Sequence, residues 1–245
     1  MSASEVMAQF EARWYLVLLS VAGLVLLIPL RDSNGATAET QFNNAQLLFV
    51  RGQLEKCQKQ AEHGYIQYRT GAPEWAAKFQ LLEAQVLERR GLPDDALIIL
   101  REFHSPTDNQ QDEIRKSVLE GVALTRQQQL SSAVQKLSEA EDLCNGLINV
   151  ACGEMMRSRG DLAAAMGKLP DARVAYLEAL GIARTLHDRY LETTVTLDLG
   201  WLALQDEHFD ESVDWSRNAY QIAVELGAED LTENISGNLG WAYFG

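Results

Sequence analysis

Basic residues are scarce in this sequence. Lysine and arginine together number 21 against 35 aspartates and glutamates, which gives the 245-residue chain a formal net charge of −14. This balance argues against a nucleic-acid-binding protein, which must neutralise phosphates, and against a surface that adheres broadly to anionic lipid. Glycine and proline are also few, at 17 and 5 residues, and they are too scattered to form a low-complexity linker.

Cysteine is rare as well. The three cysteines, Cys57, Cys144 and Cys152, are an odd number and do not have the spacing of metal ligands. We interpret them as buried free thiols. The alternative, a disulfide between Cys144 and Cys152, requires an oxidising compartment.

Charge is absent from one long stretch near the N-terminus. Residues 14–30 read WYLVLLSVAGLVLLIPL and are flanked by Arg13 and Arg31. At about 1.5 Å per residue these seventeen residues span roughly 25 Å as a helix, slightly short of a bilayer core but within the usual range of transmembrane helices. Trp14 and Tyr15 stand where aromatic residues favour the membrane interface. The sequence therefore predicts a tail at 1–12, a transmembrane helix at 13–31 and a linker at 32–38.

The same segment has an alternative interpretation as a cleaved secretory signal. Ala36-Thr37-Ala38 resembles a small-residue cleavage site. Against cleavage, the site lies several residues past the apolar run, and the preceding region is not basic. We favour an uncleaved anchor with the N-terminus in the cytoplasm and the bulk of the chain outside.

From residue 39 onward the chain shows no strand-like alternation and contains a helical repeat. A small residue recurs on a first helix at spacings of 39, 37, 39, 40 and 40, and a second small residue follows twelve positions later. The first series is Ala45, Ala84, Gly121, Gly160, Gly200 and Gly240. The second series is Cys57, Ala96, Ala133, Ala172 and Ser212.

This spacing has a packing reason. Two antiparallel helices approach closely where their crossing point lacks bulk, so each hairpin needs one small residue per helix at a fixed offset. The pattern predicts an all-α solenoid of about five and a half helical hairpins, each 37–40 residues long. The predicted repeats are 39–72, 73–108, 109–147, 148–187, 188–227 and an incomplete 228–245.

The repeat resembles the tetratricopeptide repeat (TPR). The nearest matches are LDLGWLALQDEHFDESV at 197–213 and RGDLAAAMGKLPDARVAYLEAL at 159–180, whereas Gln128 replaces the turn glycine in the third repeat. The resemblance implies a right-handed solenoid that binds protein partners in a concave groove. The terminal SGNLGWAYFG reads as the first helix of a sixth repeat, so we expect the chain to be part of a longer protein.

A membrane helix followed by long-period repeats is similar to the N-terminal part of bacterial TPR–CHAT-domain proteins. That resemblance implies the inner membrane of a bacterium, or the periplasm if the leader is cleaved near Ala38. It also implies an alternative function, the regulatory or substrate-recruiting arm of a caspase-like peptidase. The Cys–His dyad of such a peptidase lies outside this sequence.

In this repeat the first helix of each pair lines the concave wall. Inward-facing offsets there give a basic stripe suited to an acidic segment: Lys78, Arg89, Arg115, Arg126 and Arg157. The alternative is that Glu88, Glu154 and Asp161 neutralise it. Further along, the offsets give an apolar wall suited to a helix or extended peptide, unless further repeats cover it: Trp201, Leu204, Trp241 and Phe244.

One stretch has the composition of a reactive site. In Gln205–Glu211, His208 lies among four carboxylates, which is compatible with a metal site or a general base. We favour a structural role, because Phe209 occupies a core position after a turn and carboxylates favour the first turn of a helix. The other histidines, His63, His104 and His187, fall in different repeats. We therefore expect no enzyme, no metal site and no cofactor in this chain.

Overall fold

The computed structural model describes residues 31–107 and 109–244 of the chain. Every regular element within these residues is an α-helix. The helices are α1 (Arg31–Val50), α2 (Leu54–Tyr68), α3 (Pro73–Arg89), α4 (Pro93–Glu102), α5 (Gln110–Arg126), α6 (Leu130–Cys144), α7 (Val150–Ala165), α8 (Leu169–Leu186), α9 (Arg189–Gln205), α10 (Phe209–Leu226) and α11 (Glu229–Phe244).

Short turns fold consecutive helices into antiparallel hairpins. The odd-numbered helices line a central cavity and are called inner helices here; the even-numbered ones are called outer helices. From α3 onward each inner helix also packs on the next inner helix along the chain. The predicted all-α solenoid of stacked hairpins is therefore confirmed.

The predicted small residues lie where the two helices of a hairpin cross. On the inner helices the buried members are Ala45, Ala84, Gly121, Gly160 and Gly200. On the outer helices all the members are 0% exposed: Cys57, Ala96, Ala133, Ala172 and Ser212. A Cβ atom on Gly160 would lie 2.4 Å from the ring of Tyr176, so these helices approach too closely for any added side chain. The crossing prediction is confirmed for five hairpins.

Two crossings contain a hydrogen bond between the paired helices. The Cys57 thiol donates to the Ala45 carbonyl at 3.2 Å, and the Ser212 hydroxyl donates to the Gly200 carbonyl at 2.8 Å. Burial raises the pKa of Cys57 to about 12, which keeps the thiol protonated and able to donate. A small polar residue is tolerated at a crossing because the backbone of the partner helix satisfies it.

The sixth position of the series behaves differently. Gly240 is half-buried in α11, and a Cβ atom added there would meet no neighbour within 4 Å. No outer helix within the described residues pairs with α11 in a following hairpin. Close to Gly240, Trp241 and Phe244 are 75% and 92% exposed.

Each hairpin turn contains one residue with a positive φ angle. The angle is 74° at Gly52 and Gly91, 73° at Gly167, 60° at Gln128 and 58° at Glu207. A residue with a side chain pays about 1 kcal/mol for this left-handed conformation. The packing on either side therefore imposes the same turn even where the sequence does not supply glycine.

The cysteines correct one interpretation. Cys144 and Cys152 form a disulfide with a Cα–Cα distance of 5.7 Å, whereas Cys57 is free and buried. The bond joins the end of α6 to the start of α7 across residues 145–149. The two thiols are brought together because the connection between these hairpins is short and both side chains turn into the same core.

The N-terminal predictions are only partly within the described chain. Residues 32–38 were predicted as a linker, but they are helical and form the first part of α1. Ala38, at the end of this segment, is buried, as is Phe42 one turn further along α1. The predicted transmembrane segment, 14–30, lies outside the described residues. No helix among the described residues has the length and apolar character needed to span a membrane.

Candidate functional site

The inner helices enclose a cavity of about 320 Å³. All six of them contribute to its lining, with Phe42 from α1, Leu81 from α3, Val118 from α5, Leu191 from α9 and Leu231 from α11 among the apolar residues. These positions recur from repeat to repeat because each inner helix presents the same face to the interior. The result is one shared space built from the whole repeat array.

All five residues of the predicted basic stripe line this cavity. They are Lys78, Arg89, Arg115, Arg126 and Arg157. Repeat periodicity together with the inward-facing offsets was sufficient to place them in one space, although they are spread over three inner helices. The cavity also contains carboxylates, so the charge it presents depends on how these are paired.

Three of the arginines pair with a carboxylate on a neighbouring inner helix. Nε of Arg115 lies 3.2 Å from Glu154, and Nε of Arg157 lies 2.5 Å from Asp198. Arg126 lies 3.4 Å from Glu88. Each pair joins one repeat to the next at the same level of the solenoid, so the pairs tie adjacent inner helices together.

Asp161, one of the carboxylates expected to pair with the stripe, makes a different contact. Asp161 was predicted to neutralise the stripe, but its Oδ1 accepts a hydrogen bond of 2.7 Å from the Tyr176 hydroxyl. Asp198 on the next inner helix pairs with Arg157 instead. The reason is that parallel inner helices bring residues of successive repeats side by side. Burial raises the pKa of Asp198 to about 6, and Arg157 only partly opposes this rise.

Glu88 is the least satisfied of these carboxylates. Its side chain is 5% exposed, and within residues 31–107 and 109–244 neither oxygen has a hydrogen-bond partner. The contact with Arg126 is an ion pair without hydrogen-bond geometry. Burial raises the pKa of Glu88 to about 7, and the Arg126 charge opposes that rise. Arg126 is 49% exposed, so much of its donor capacity faces solvent.

Lys78 has a different environment. Its ammonium lies 4.2 Å from the centre of the Trp75 ring, an attractive cation–π arrangement. The same ammonium acts on Asp112, whose pKa burial raises while Lys78 and Arg115 oppose the rise. Lys78 therefore adds positive potential near the N-terminal ends of the inner helices.

Arg89 joins inner helices from the two ends of the repeat array, and its contacts are called the closing contact here. One of its Nη atoms donates to the Phe49 carbonyl and to the Tyr190 hydroxyl, both at 2.8 Å. The other Nη atom lies 2.6 Å from Oδ2 of Asp230. The guanidinium also lies over the rings of Phe49 and Tyr190, whose centres are 5.6 Å apart. Residues of α1, α3, α9 and α11 thus meet at one side chain.

A glycine makes this closure possible. An added Cβ on Gly52, in the turn between α1 and α2, would lie 2.5 Å from Oδ1 of Asp230. The first turn and the last inner helix are therefore in direct contact. Burial also raises the pKa of Tyr190 to about 12, so its hydroxyl stays neutral and accepts from Arg89. Sequence analysis identified Arg89 but neither Tyr190 nor Asp230.

The predicted apolar wall lies elsewhere. Trp201, Leu204, Trp241 and Phe244 are not among the residues that line the cavity. On α9 and α11 the lining comes from the N-terminal halves, at Tyr190, Leu191, Leu197 and Leu231 among others. The structure therefore does not bring the aromatic residues together with the basic stripe. It leaves Trp201, Trp241 and Phe244 exposed towards the C-terminal ends of α9 and α11.

The cluster around His208 lies on the surface. Nδ1 of His208 is 3.2 Å from Asp206 and 4.0 Å from Glu211, and the imidazole is 60% exposed. Glu211 also accepts a hydrogen bond from the Trp215 indole, which lowers the pKa of the carboxyl together with Arg173. No group of metal-ligating residues is found in the part of the chain that the structure describes.

Comparison with known proteins shows a fold. No protein-family model matches the chain, and no curated protein matches it in sequence. A solved STAND protein (a signal transduction ATPase with numerous domains) with a tetratricopeptide repeat sensor, from Pyrococcus horikoshii, aligns with a TM-score of 0.65 and 16% identity over 84% of this chain. The alignment covers 32% of that protein, so the chain spans about a third of its length.

Two other solved structures are similar over most of their length. BtubC from P. vanneervenii aligns with a TM-score of 0.51 and 14% identity, over 84% of this chain and 87% of that one. PilF from Pseudomonas aeruginosa aligns with a TM-score of 0.49 and 16% identity, over 88% of this chain and 94% of that one. The likeness to the solved STAND protein with a tetratricopeptide repeat sensor shows that the described part of the chain has a tetratricopeptide-like fold.

Proposed function

We propose that the chain is a scaffold that binds a protein partner through the inner surface of its repeats and is anchored to a membrane by residues 14–30. The observation that carries the proposal is the cavity, to which six inner helices contribute apolar and charged side chains. Stacked helical hairpins create extended inner surfaces of this kind, and repeat proteins bind partners on them. The tetratricopeptide-like fold supports an interaction scaffold in general terms.

The membrane part of the proposal rests on the sequence. Seventeen uncharged residues between Arg13 and Arg31 have the length and composition of a spanning helix. The test is fractionation of cells that express the full chain or a chain starting at residue 39. We expect the full chain in the membrane fraction until detergent is added, and the shortened chain in the soluble fraction. Equal distribution of the two would contradict anchoring.

The disulfide supports a location for the repeats. Disulfides persist in oxidising compartments such as the bacterial periplasm, so Cys144–Cys152 is compatible with repeats outside the inner membrane. Alkylation of intact cells with a membrane-impermeant maleimide, before and after reduction, tests this. We expect the mass of two further maleimides after reduction, and immediate labelling of both thiols would contradict it.

An acidic segment is the partner that the charges fit best. Arg126 has the most exposed guanidinium among the ion-paired arginines of the stripe, and its partner Glu88 makes no hydrogen bond to it. Lys78 adds a second cation whose ammonium rests on an aromatic ring. Both can give hydrogen bonds to carboxylates without first breaking a well-formed pair.

The binding test uses the full chain in detergent and a fluorescein-labelled polyglutamate peptide. Arg126→Glu is expected to weaken binding at least fivefold and to reduce its dependence on salt, because one attractive contact becomes repulsive. Arg101→Glu, on the exposed side of outer helix α4, makes the same charge change away from the cavity. Equal losses in the two variants would contradict a role for the inner surface.

A second candidate function is favoured by the exposed aromatic residues of α11. Trp241, Tyr243 and Phe244 are 62% to 92% exposed, a surface that another helix or domain could cover. In this proposal the chain is the regulatory arm of a larger CHAT-type peptidase. The test is to read the gene beyond the codon for Gly245. An open frame with more repeats and a caspase-like segment would support it, and an immediate stop codon would contradict it.

A further inference from the structure

The residue that completes the contact at Arg89 is itself a carboxylate. Asp230 belongs to the same chain, and its contact with Arg89 is of the kind that an acidic partner would make with the basic stripe. We propose that Asp230 acts as an intramolecular stand-in for that partner. By binding Arg89 it latches the first and last inner helices together, and an acidic segment opens the cavity by displacing it. This inference rests on the proposed function.

The closed cavity is too small for the partner classes that use such grooves. Its volume of about 320 Å³ lies at the lower limit of small-molecule pockets. An α-helix with side chains is about 10–12 Å across, and a pocket of this size holds a small ligand rather than several turns of such a helix. A helix can therefore lie among the inner helices only after they have moved apart, and a peptide carboxylate that pairs with Arg89 must displace Asp230.

The ion pair between Arg89 and Asp230 is accessible from one side. The Arg89 side chain is 16% exposed, and its Nη atom that faces Asp230 is buried and has no hydrogen-bond partner within the described residues. The Asp230 side chain is 33% exposed, so a competing carboxylate can reach the pair from the Asp230 side. An ion pair without hydrogen-bond geometry holds less tightly than a hydrogen-bonded one. The link is therefore reversible at modest cost.

Release of Asp230 does not require α11 to unfold. Leu231 and Ile235 are buried against Ala219 and Ala223 of outer helix α10, so α11 is held by its own neighbours. Asp230 contacts Arg89 at the end of α3 and Gly52 in the turn after α1, and neither contact involves α10. Asp230 can therefore leave Arg89 while the C-terminal repeats stay intact.

The first test neutralises the latch without changing its size. In the full chain in detergent, Asp230→Asn is expected to bind the fluorescein-labelled polyglutamate peptide about fivefold more tightly, because the fraction of open molecules limits apparent affinity. Hydrogen exchange is expected to rise in the first turn of α11 and in the turn at Gly52. Asp214→Asn, an exposed residue of outer helix α10, makes the same charge change and should alter neither measurement.

The second test separates opening from charge. A Cβ on Gly52 would lie 3.1 Å from Cβ of Asp230, so cysteines at the two positions reach the roughly 3.5–4.5 Å separation of a disulfide when the turn shifts outward by a few tenths of an ångström. Oxidised G52C/D230C is locked closed, and its reduced form lacks the latch carboxylate. We expect the reduced form to bind the peptide at least tenfold more tightly. The wild type with and without reductant controls for Cys144–Cys152.

The outcomes separate the latch from the function. Equal affinities of oxidised and reduced G52C/D230C, with measurable binding by the wild type, would overturn the latch and leave the proposed function standing. Increased exchange in Asp230→Asn without peptide binding in any variant would contradict the acidic partner and, with it, the stand-in role. Arg89→Met should increase exchange as Asp230→Asn does but weaken binding, because it removes both the latch and a cation.

Discussion

The hairpin crossings and the closing contact at Arg89 hold the molecule together in different ways. A crossing recurs five times with the same twelve-residue offset and the same demand for a small residue. The closing contact occurs once and joins residues that lie near opposite ends of the repeat array. The crossings are uncharged, buried and tightly packed, whereas the closing contact is charged and partly exposed.

This difference shows which contacts determine the stability of the molecule and which determine its shape. Each crossing buries surface within one hairpin, so its contribution depends on neighbours in the sequence and repeats along the solenoid. The closing contact fixes the relation between the first and last inner helices and contributes little to the packing of either. Variants at crossings should therefore change the free energy of unfolding strongly, and variants at the closure should change it weakly.

The largest effect is expected at a crossing. Gly160→Leu should lower the free energy of unfolding by about 3 kcal/mol, since inserted atoms force shifts in a packed core and the Tyr176 ring leaves no space. Chemical denaturation measures the change. In the same hairpin Gly181 is exposed with no atom near its added Cβ, so Gly181→Leu should be neutral or stabilising. Similar losses in both variants would refute the crossing.

The disulfide provides the next comparison, because it joins two hairpins rather than two helices of one hairpin. Its cysteines are eight residues apart, and closing a loop of this size stabilises by about 2.5 kcal/mol in the chain-entropy model. The double variant C144A/C152A should lose about that much. Reductant should lower the melting temperature of the wild type and leave that of the double variant unchanged. A wild type insensitive to reductant would contradict the bond.

Sequence reasoning succeeded where a rule repeats. The crossings follow from small residues at fixed spacing, and the five cavity cations follow from offsets counted from those residues. It failed where a contact is made once. The pairing of Arg157 with Asp198 and the contact of Arg89 with Asp230 depend on the rotation between successive repeats, because small rotations add up over the array and decide whether its ends meet. No local sequence pattern around Tyr190 or Asp230 indicates the total rotation along the array.

The exposed aromatic residues illustrate the same limit. Trp201 and Trp241 have the same offset as Gln85, which lines the cavity, yet neither tryptophan does. Equal offsets predict equal surroundings only while the array continues regularly in both directions. Near the closure the cavity uses the N-terminal halves of α9 and α11 instead, so the offset rule no longer applies there.

The pH dependence of the free energy of unfolding distinguishes the cavity from the crossings. Burial raises the pKa of Glu88 from 4.5 to about 7 in the folded chain, so the unfolded chain ionises first as pH rises. Stability from this group is complete below pH 4.5 and is lost as pH rises through about 7. Glu88→Gln does not titrate and should be more stable than the wild type by about 3 kcal/mol above pH 7, with no difference near pH 4.5.

The control for this effect is an exposed carboxylate on an outer helix. Glu178→Gln lies on α8 and should follow the pH profile of the wild type throughout. Melting temperatures of the three proteins between pH 4.5 and 8 provide the measurement. If Glu88→Gln and the wild type differ equally at both ends of the range, Glu88 is not the group that titrates, and the cavity is better hydrated than its packing indicates.

The smallest expected effect on the free energy of unfolding tests the closing contact at Arg89 alone. Gly52 and Gly91 occupy equivalent turns and share a φ angle of 74°, so an alanine at either position pays the same left-handed cost of about 1 kcal/mol. The surroundings differ, because an added Cβ meets Asp230 at Gly52 and no atom within 4 Å at Gly91. Gly52→Ala should therefore cost about 1 kcal/mol more than Gly91→Ala, the upper value for a partly exposed ion pair.

A double variant shows whether this excess belongs to the closing contact. In the Asp230→Ala background the carboxylate is gone, although Cβ of residue 230 still lies 3.1 Å from a Cβ on Gly52, so most of the excess cost of Gly52→Ala over Gly91→Ala should disappear. Denaturation of the four single and double variants gives the coupling free energy directly. If the excess persisted without the Asp230 carboxylate, the turn at Gly52 would be constrained by its own hairpin. The closure would then be a consequence of repeat geometry, with no separate contribution from Asp230.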